Sequence, residues 1–166
     1  ASLPSQTALI EESRSLTYAQ LSAEAGLLAS ELLSVQVTTD TLVPLMSNRC
    51  AEMIIAIFGI LFAGGGYVPL DTKWPDERVA EVILQCQPLR ALCAGPGFAD
   101  RLNAISGANQ LSCKVVEVKH RGVPPKQALN LASEPSSLNA VYCFFTSGSS
   151  GKPKGVVVEH RGLVHR

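Results

Sequence analysis

The chain has 166 residues, 46% apolar and 17% charged, which is enough apolar surface for one sizeable core. Its 14 Lys and Arg balance its 14 Asp and Glu, so electrostatics gives no reason to expect nucleic acid or an anionic membrane as partner. A small substrate or a protein partner remains as the expectation.

In chain order, Ala8 to Ile10 and Ser15 to Leu16 flank a polar turn and predict a short hairpin. Thr17 and Gln20 have capping-box spacing, in which each side chain satisfies the other's free backbone amide, so a helix is predicted to open there. Leu21, Ala25, Leu28 and Leu32 follow as one apolar stripe. Thr41 to Met46 predicts a strand, and Ser47 to Arg49 a polar start for a helix from Cys50 to Ala63, stopped by Gly64.

From Met53 to Leu70 no residue is charged, nominally the lower length of a membrane-spanning helix. Gly64, Gly65, Gly66 and Pro69 interrupt that run. About ten helical residues remain, roughly 15 Å, so a buried core helix followed by a buried strand, Tyr67 to Leu70, is the better fit. The N-terminus, with Glu11 and Glu12 and no early basic-plus-apolar block, does not read as a signal peptide.

Pro75 at a first helical position, with Asp76 and Glu77 in the first turn, predicts a third helix ended by Pro88. Leu89 to Ala94 predicts a strand, Phe98 to Ile105 a helix, and Lys114 to Val118 a strand. His120 to Ser137, with its Pro and Ser residues, predicts a surface loop, and Ala140 to Phe145 and Val156 to Val158 two more strands. Helices alternating with strands that are apolar throughout predict an α/β fold: a mainly parallel sheet covered on both faces. Tyr67 to Leu70 and Ala140 to Phe145 are its expected interior strands. The final Leu163-Val164-His165-Arg166 carries no stop signal, so the chain is expected to continue.

The five cysteines, Cys50, Cys86, Cys93, Cys113 and Cys143, are odd in number and include no C-x-x-C pair. Neither a zinc site nor a disulfide framework is indicated. Cys86, Cys93 and Cys143 sit among apolar neighbours and read as buried reduced thiols. That usage favours a reducing compartment such as the cytoplasm.

The informative segment is FFTSGSSGKPKGVVVEH, Phe144 to His160. Polyphosphate binding needs close backbone approach, several hydrogen-bond donors and positive charge. Gly148 and Gly151 remove side chains that would block approach; Thr146, Ser147, Ser149 and Ser150 supply hydroxyl donors; Lys152 and Lys154 supply charge. No acidic residue lies between Glu134 and Glu159 to oppose an anion. A flexible Ser/Gly linker would not be framed by two buried-type strands. The segment is not a Walker loop, which needs four residues between its glycines and then Gly-Lys-Ser or Gly-Lys-Thr. Here two residues separate Gly148 from Gly151, and Pro153 follows Lys152. Thr146 to Gly155 is therefore expected to be a loop between two strands, with no helix beginning at Gly151. No G-x-G-x-x-G fingerprint opens a helix early in the chain, so a dinucleotide reader is not indicated.

TSGSSGKPKG resembles the phosphate loop of the acyl-adenylate-forming (AMP-binding) superfamily: Thr-Ser-Gly, two residues that are Ser or Thr, then Gly-x-Pro-Lys-Gly. LFAGGGYVPLDTKWPDERV, Leu61 to Val79, is similar to the K-A-G-x-A-Y-V-P-L-D-P-x-Y-P-x-E-R stretch of amino-acid adenylation domains of nonribosomal peptide synthetases. LTYAQL, Leu16 to Leu21, resembles the opening L-T-Y-x-E-L of the same domains. The three occur in the expected order and span nearly the whole chain. Phe62 stands where Lys is usual, Thr72 where Pro is usual and Trp74 where Tyr is usual. The Leu61 to Val79 segment has the pattern of scaffold, and His160 and His165 that of helix-start or surface positions.

The resemblance implies that this chain is a partial domain, truncated at its C-terminus, from the large N-terminal domain of an adenylate-forming enzyme. It implies ATP as co-substrate and Mg2+ as cofactor, the metal ligand lying outside these residues. It implies that an amino-acid carboxylate is adenylated and then passed to the pantetheine arm of a carrier domain. Thr146, Ser147, Gly148, Ser149, Ser150, Gly151 and Lys154 would hold the β- and γ-phosphates, while Lys152 stands at the variable position. Two other classes stay open. One is the adenylation domain of an acyl- or aryl-CoA ligase or of a carboxylic acid reductase. The other is a non-catalytic domain that kept the scaffold, against which the intact loop argues.

Overall fold

The computed structural model describes residues 3–12, 14–122, 136–147 and 152–164. Strands β1 (Thr7–Glu11) and β2 (Arg14–Thr17) form the expected antiparallel hairpin. The Arg14 guanidinium holds it to the body by donating to Glu11 and, at 2.9 Å, to Glu52. Helix α1 (Tyr18–Ser34) opens on the predicted capping box. The Gln20 amide donates to Thr17 Oγ1 at 3.2 Å, and the Thr17 amide donates to Gln20 Oε1 at 2.8 Å. The stripe Leu21, Ala25, Leu28 and Leu32 is buried throughout.

Strand β3 (Leu42–Ser47) leads through α2 (Ala51–Phe62) to β4 (Gly66–Leu70). Gly64 ends α2 with a φ of +87° that a side chain would strain. Helix α3 (Asp76–Cys86) follows, then β5 (Arg90–Ala94), α4 (Phe98–Ala108) and β6 (Lys114–Glu117). Pro75 sits at the N-cap, one residue before the expected first helical position, because its ψ of 151° is still extended. The chain then forms β7 (Ala140–Ser147), β8 (Pro153–Glu159) and a short α5 (His160–Val164), which His160 opens. Of the predicted loop from His120 to Ser137, residues 123–135 lie outside the described set.

One six-stranded sheet has the order β6-β5-β3-β4-β7-β8. Every neighbouring pair is parallel except β7 and β8. The chain moves one way across the sheet from β3 to β4 and the other way from β4 to β5 and β6. Right-handed crossovers then demand that α2 lie on one face and α3 and α4 on the other. The core obeys this, splitting at the sheet by strand alternation. Val43, Leu45, Leu92 and Ala94 pack with α1 and α2. Met46, Val68, Ala91 and Cys93 pack with α3 and α4.

The expected interior strands are interior: β4 lies between β3 and β7, and β7 between β4 and β8. Cover is complete on both faces over β3 and β5. At β7 it is one-sided, and β8 is exposed on both faces from Lys154 to Val157, Val157 being 53% exposed on the α3 side. Cys143 and Phe145 pack toward α3, whereas Phe144 is 48% exposed and Val156 53%.

Candidate functional site

The sequence places its phosphate-type motif at the turn joining β7 to β8. Since β3, β4, β5, β6 and β7 are parallel, that turn emerges at the carboxyl edge of the sheet. Ligand sites in open α/β sheets lie at this edge, where loops gather around a rigid platform. The stem of the turn is more regular than the motif suggested. Thr146 pairs with Lys154, Ser147 with Pro153 and Phe145 with Gly155, so the ladder runs well into the expected loop. β-Branched and aromatic residues on both sides of the turn favour this extension of the pairing.

No helix starts at the motif among the described residues, because Pro153 to Glu159 is strand. That geometry separates this turn from a Walker loop, whose glycines open a helix.

Of the candidate residues, the structure brings Thr146 and Lys154 together as direct cross-strand partners, both exposed. Thr146 Oγ1 donates to the Lys154 carbonyl at 3.5 Å. Ser147 is in β7 by its backbone. Gly148, Ser149, Ser150 and Gly151 lie outside the described residues. Lys152 is exposed at the mouth of the turn. By strand alternation Lys154 and Thr146 face away from α3, beside Phe144 and Val156, while Pro153 and Gly155 face toward it. Pro153 is correspondingly buried.

Three features that frame this hairpin had no signal in the sequence. Gly155 lies flat on the core: a Cβ there would stand 2.9 Å from Cys143 Sγ and 3.1 Å from the Phe145 ring. The Gln85 side-chain amide, on α3, donates to the Pro153 carbonyl at 3.2 Å. Asp40 fixes the entry to β7, accepting from the Ala140 amide at 2.7 Å and from Asn139 Nδ2 at 3.2 Å. The first depends on the register between β7 and β8, and the second on packing between elements far apart in the chain. The Asp40 contact joins residues 100 apart, which no local pattern reveals.

Aromatic rings line the open face leading to Thr146. Tyr67 and Tyr142 have ring centroids 5.7 Å apart, and Tyr142 and Phe144 4.7 Å apart. Burial pushes the Tyr67 hydroxyl above its usual pKa. An apolar groove of about 680 Å³ lies between β1, α1 and α2, lined by Leu9, Tyr18, Ile54, Phe58 and Phe62, with no contribution from β7 or β8. It is not part of the hairpin site. Among the described residues no group of three or more His, Cys, Asp or Glu side chains is placed to hold a metal ion. The cysteines are free thiols, and burial pushes Cys86 up to about 12 and Cys93 and Cys113 up to about 11. None is a ready nucleophile, as expected of structural thiols. No described helix is long and apolar enough to cross a membrane.

A family model described as AMP-binding enzyme matches residues 1–166. The chain is 35% identical over 162 residues to tyrocidine synthase 2 of Brevibacillus parabrevis, covering 98% of this chain and 4% of that protein. It is 36% identical over 163 residues to malpinin synthetase of Mortierella alpina, covering 98% of this chain and 2% of that protein. Among solved structures, the nonribosomal peptide synthetase FmoA3 in its alpha-methyl-L-serine-AMP-bound form superposes with a TM-score of 0.76 at 25% identity. That match covers 98% of this chain and 17% of the other. The chain thus spans a small part of the relatives it matches.

Proposed function

This chain belongs to the AMP-binding enzyme family, and we propose that its parent activates an amino-acid carboxylate as an aminoacyl-adenylate for nonribosomal peptide synthesis. A carboxylate oxygen attacks the α-phosphorus of ATP. The bond from that phosphorus to the bridging oxygen breaks, and pyrophosphate leaves with the electron pair. The acyl group then passes to the pantetheine thiol of a carrier domain, with AMP as leaving group. A carboxylate is already ionised at neutral pH, its pKa being about 4, so the first step needs no general base. The protein's task is to orient the two reactants and to neutralise charge on the departing pyrophosphate.

In this reading Thr146, Ser147, Gly148, Ser149, Ser150 and Gly151 offer hydroxyl and backbone donors to the β- and γ-phosphates, and Lys154 supplies the positive charge. Magnesium would supply further neutralisation of the polyphosphate. The family resemblance assigns its protein ligand to the rest of the parent. The adenine, ribose and substrate contacts are assigned there too, and these 166 residues alone are proposed to be inactive. Cysteine usage supports a cytoplasmic setting.

The observation that carries the proposal is the β7–β8 pair at the carboxyl edge of a parallel sheet, with Thr146 facing Lys154 where the Gly- and Ser-rich sequence joins the two strands. The test is ATP–pyrophosphate exchange by the full-length parent over a panel of amino and aryl acids. Exchange driven by an amino acid is expected. Exchange driven only by aryl or aliphatic acids would move the parent to the CoA-ligase or reductase class, and exchange with none would overturn the proposal.

A further inference from the structure

Lys154 sits between two residues whose positions are fixed from the same side. Pro153 before it is buried against α3, and its carbonyl accepts from Gln85 Nε2 at 3.2 Å. Gly155 after it rests on the Cys143 sulfur and the Phe145 ring, with no room for a side chain. Proline has no N–H to donate, so the backbone of residue 153, opposite Ser147, can take part in hydrogen bonding only as an acceptor. Gln85 gives that acceptor a hydrogen bond from outside the hairpin. Its neighbours Val79, Val82 and Ile83 are apolar and fully buried. They set the height of α3 above the sheet without specifying where the stem lies along it. A directional hydrogen bond supplies that specification.

We propose that Gln85 is a positioning residue for the hairpin's phosphate contacts, acting through the Pro153 carbonyl. Pinning residues 153 and 155 on the α3 face fixes the backbone of residue 154, and so the direction in which Lys154 leaves the opposite face. The inference rests on the proposed function. It adds a side chain from a segment about 70 residues upstream of the motif to the group that presents the lysine. Loss of one neutral hydrogen bond allows the stem to sample other positions, at a cost in phosphate affinity of about threefold to tenfold.

The test uses the full-length parent, with Gln85→Met, which keeps length and apolar packing but cannot donate, beside Lys154→Ala as a control. Pyrophosphate exchange is measured with ATP, pyrophosphate and the cognate amino acid each titrated in turn, and thermal midpoints are recorded. The expected result for Gln85→Met is an apparent KM for ATP and for pyrophosphate raised about threefold to tenfold, with the amino-acid KM and the thermal midpoint unchanged. A purely structural role would move all three KM values and the midpoint together, and that result would overturn the inference. So would unchanged KM values in Gln85→Met while Lys154→Ala impairs exchange, an outcome that leaves the proposed function standing. If Lys154→Ala exchanges like the wild type, the reading of the loop fails and this inference falls with it.

Discussion

The two halves of the sheet are built on different terms. From β6 to β4 the sheet is a packed slab: Leu92 and Ala94 bury into α1 and α2, Ala91 and Cys93 into α3 and α4, all without measurable exposure. From β7 to β8 burial on the α3 side is confined to Cys143 and Pro153, with Phe145 partly buried and Val157 53% exposed, while the other face presents Phe144, Val156, Thr146 and Lys154 to solvent. Both faces of the slab serve stability. In the hairpin one face is held in part and the other is left within reach, and the apolar residues on the open face add little to the stability of this chain. The proposed phosphate contacts therefore sit where burial is incomplete.

Substitutions should reveal this division. Leu92→Ala should have the largest effect, about 2–5 kcal/mol of stability, because both the transfer energy and a cavity in a fully enclosed site are lost; urea unfolding measures it. Gly155→Ala should cost about 1–3 kcal/mol, since the new methyl stands 2.9 Å from Cys143 Sγ. Adding Cys143→Ala should recover part of that cost, and a double-mutant cycle with no coupling would refute the contact.

Alkaline pH should act more mildly. Burial raises Cys86 to about 12 and Cys93 and Cys113 to about 11 from an ordinary value of 9.0. The unfolded chain therefore releases those protons first. The stability carried by the neutral thiols is whole below pH 9.0 and declines toward 11 and 12. The urea midpoint should be lower above pH 9.0 than below it, and an unchanged midpoint would contradict the burial of these thiols. The smallest effect is expected from Phe144→Ser in this chain, within about 0.5 kcal/mol and with less aggregation. The same substitution costing much more in the full-length parent would show that parent sequence covers this face.

Most of the slab was legible in the sequence because its signals are local. The Thr17–Gln20 capping box, the stripe from Leu21 to Leu32, the stop at Gly64 and the short apolar runs each describe an element by its own residues. The two-faced core followed from alternation along β3 and β5. The location of the motif was legible too. The extent of its loop was not, because whether Thr146 and Lys154 pair depends on the strength of a ladder rather than on a turn signature. The supports from Gln85 and Asp40 were invisible for a related reason. An amide on an exposed helix face and an acid in a short connection have no pattern until the fold brings their partners near. The exposure of β8 was hidden as well, since Val156 to Val158 reads identically whether its faces are buried or open.

Two lysines compete for the working role at the hairpin. Lys152 and Lys154 are both exposed and lie two residues apart, but only Lys154 is paired with Thr146 and anchored on both sides. The deciding measurement is amino-acid-dependent pyrophosphate exchange by the full-length parent carrying Lys154→Ala or Lys152→Ala. Loss of one charge-assisted contact to the departing pyrophosphate, about 1.5–3 kcal/mol, should lower exchange about tenfold to a hundredfold in Lys154→Ala, with Lys152→Ala close to the wild type. Equal losses in the two variants, or a larger loss in Lys152→Ala, would contradict the assignment of Lys154 to the phosphates.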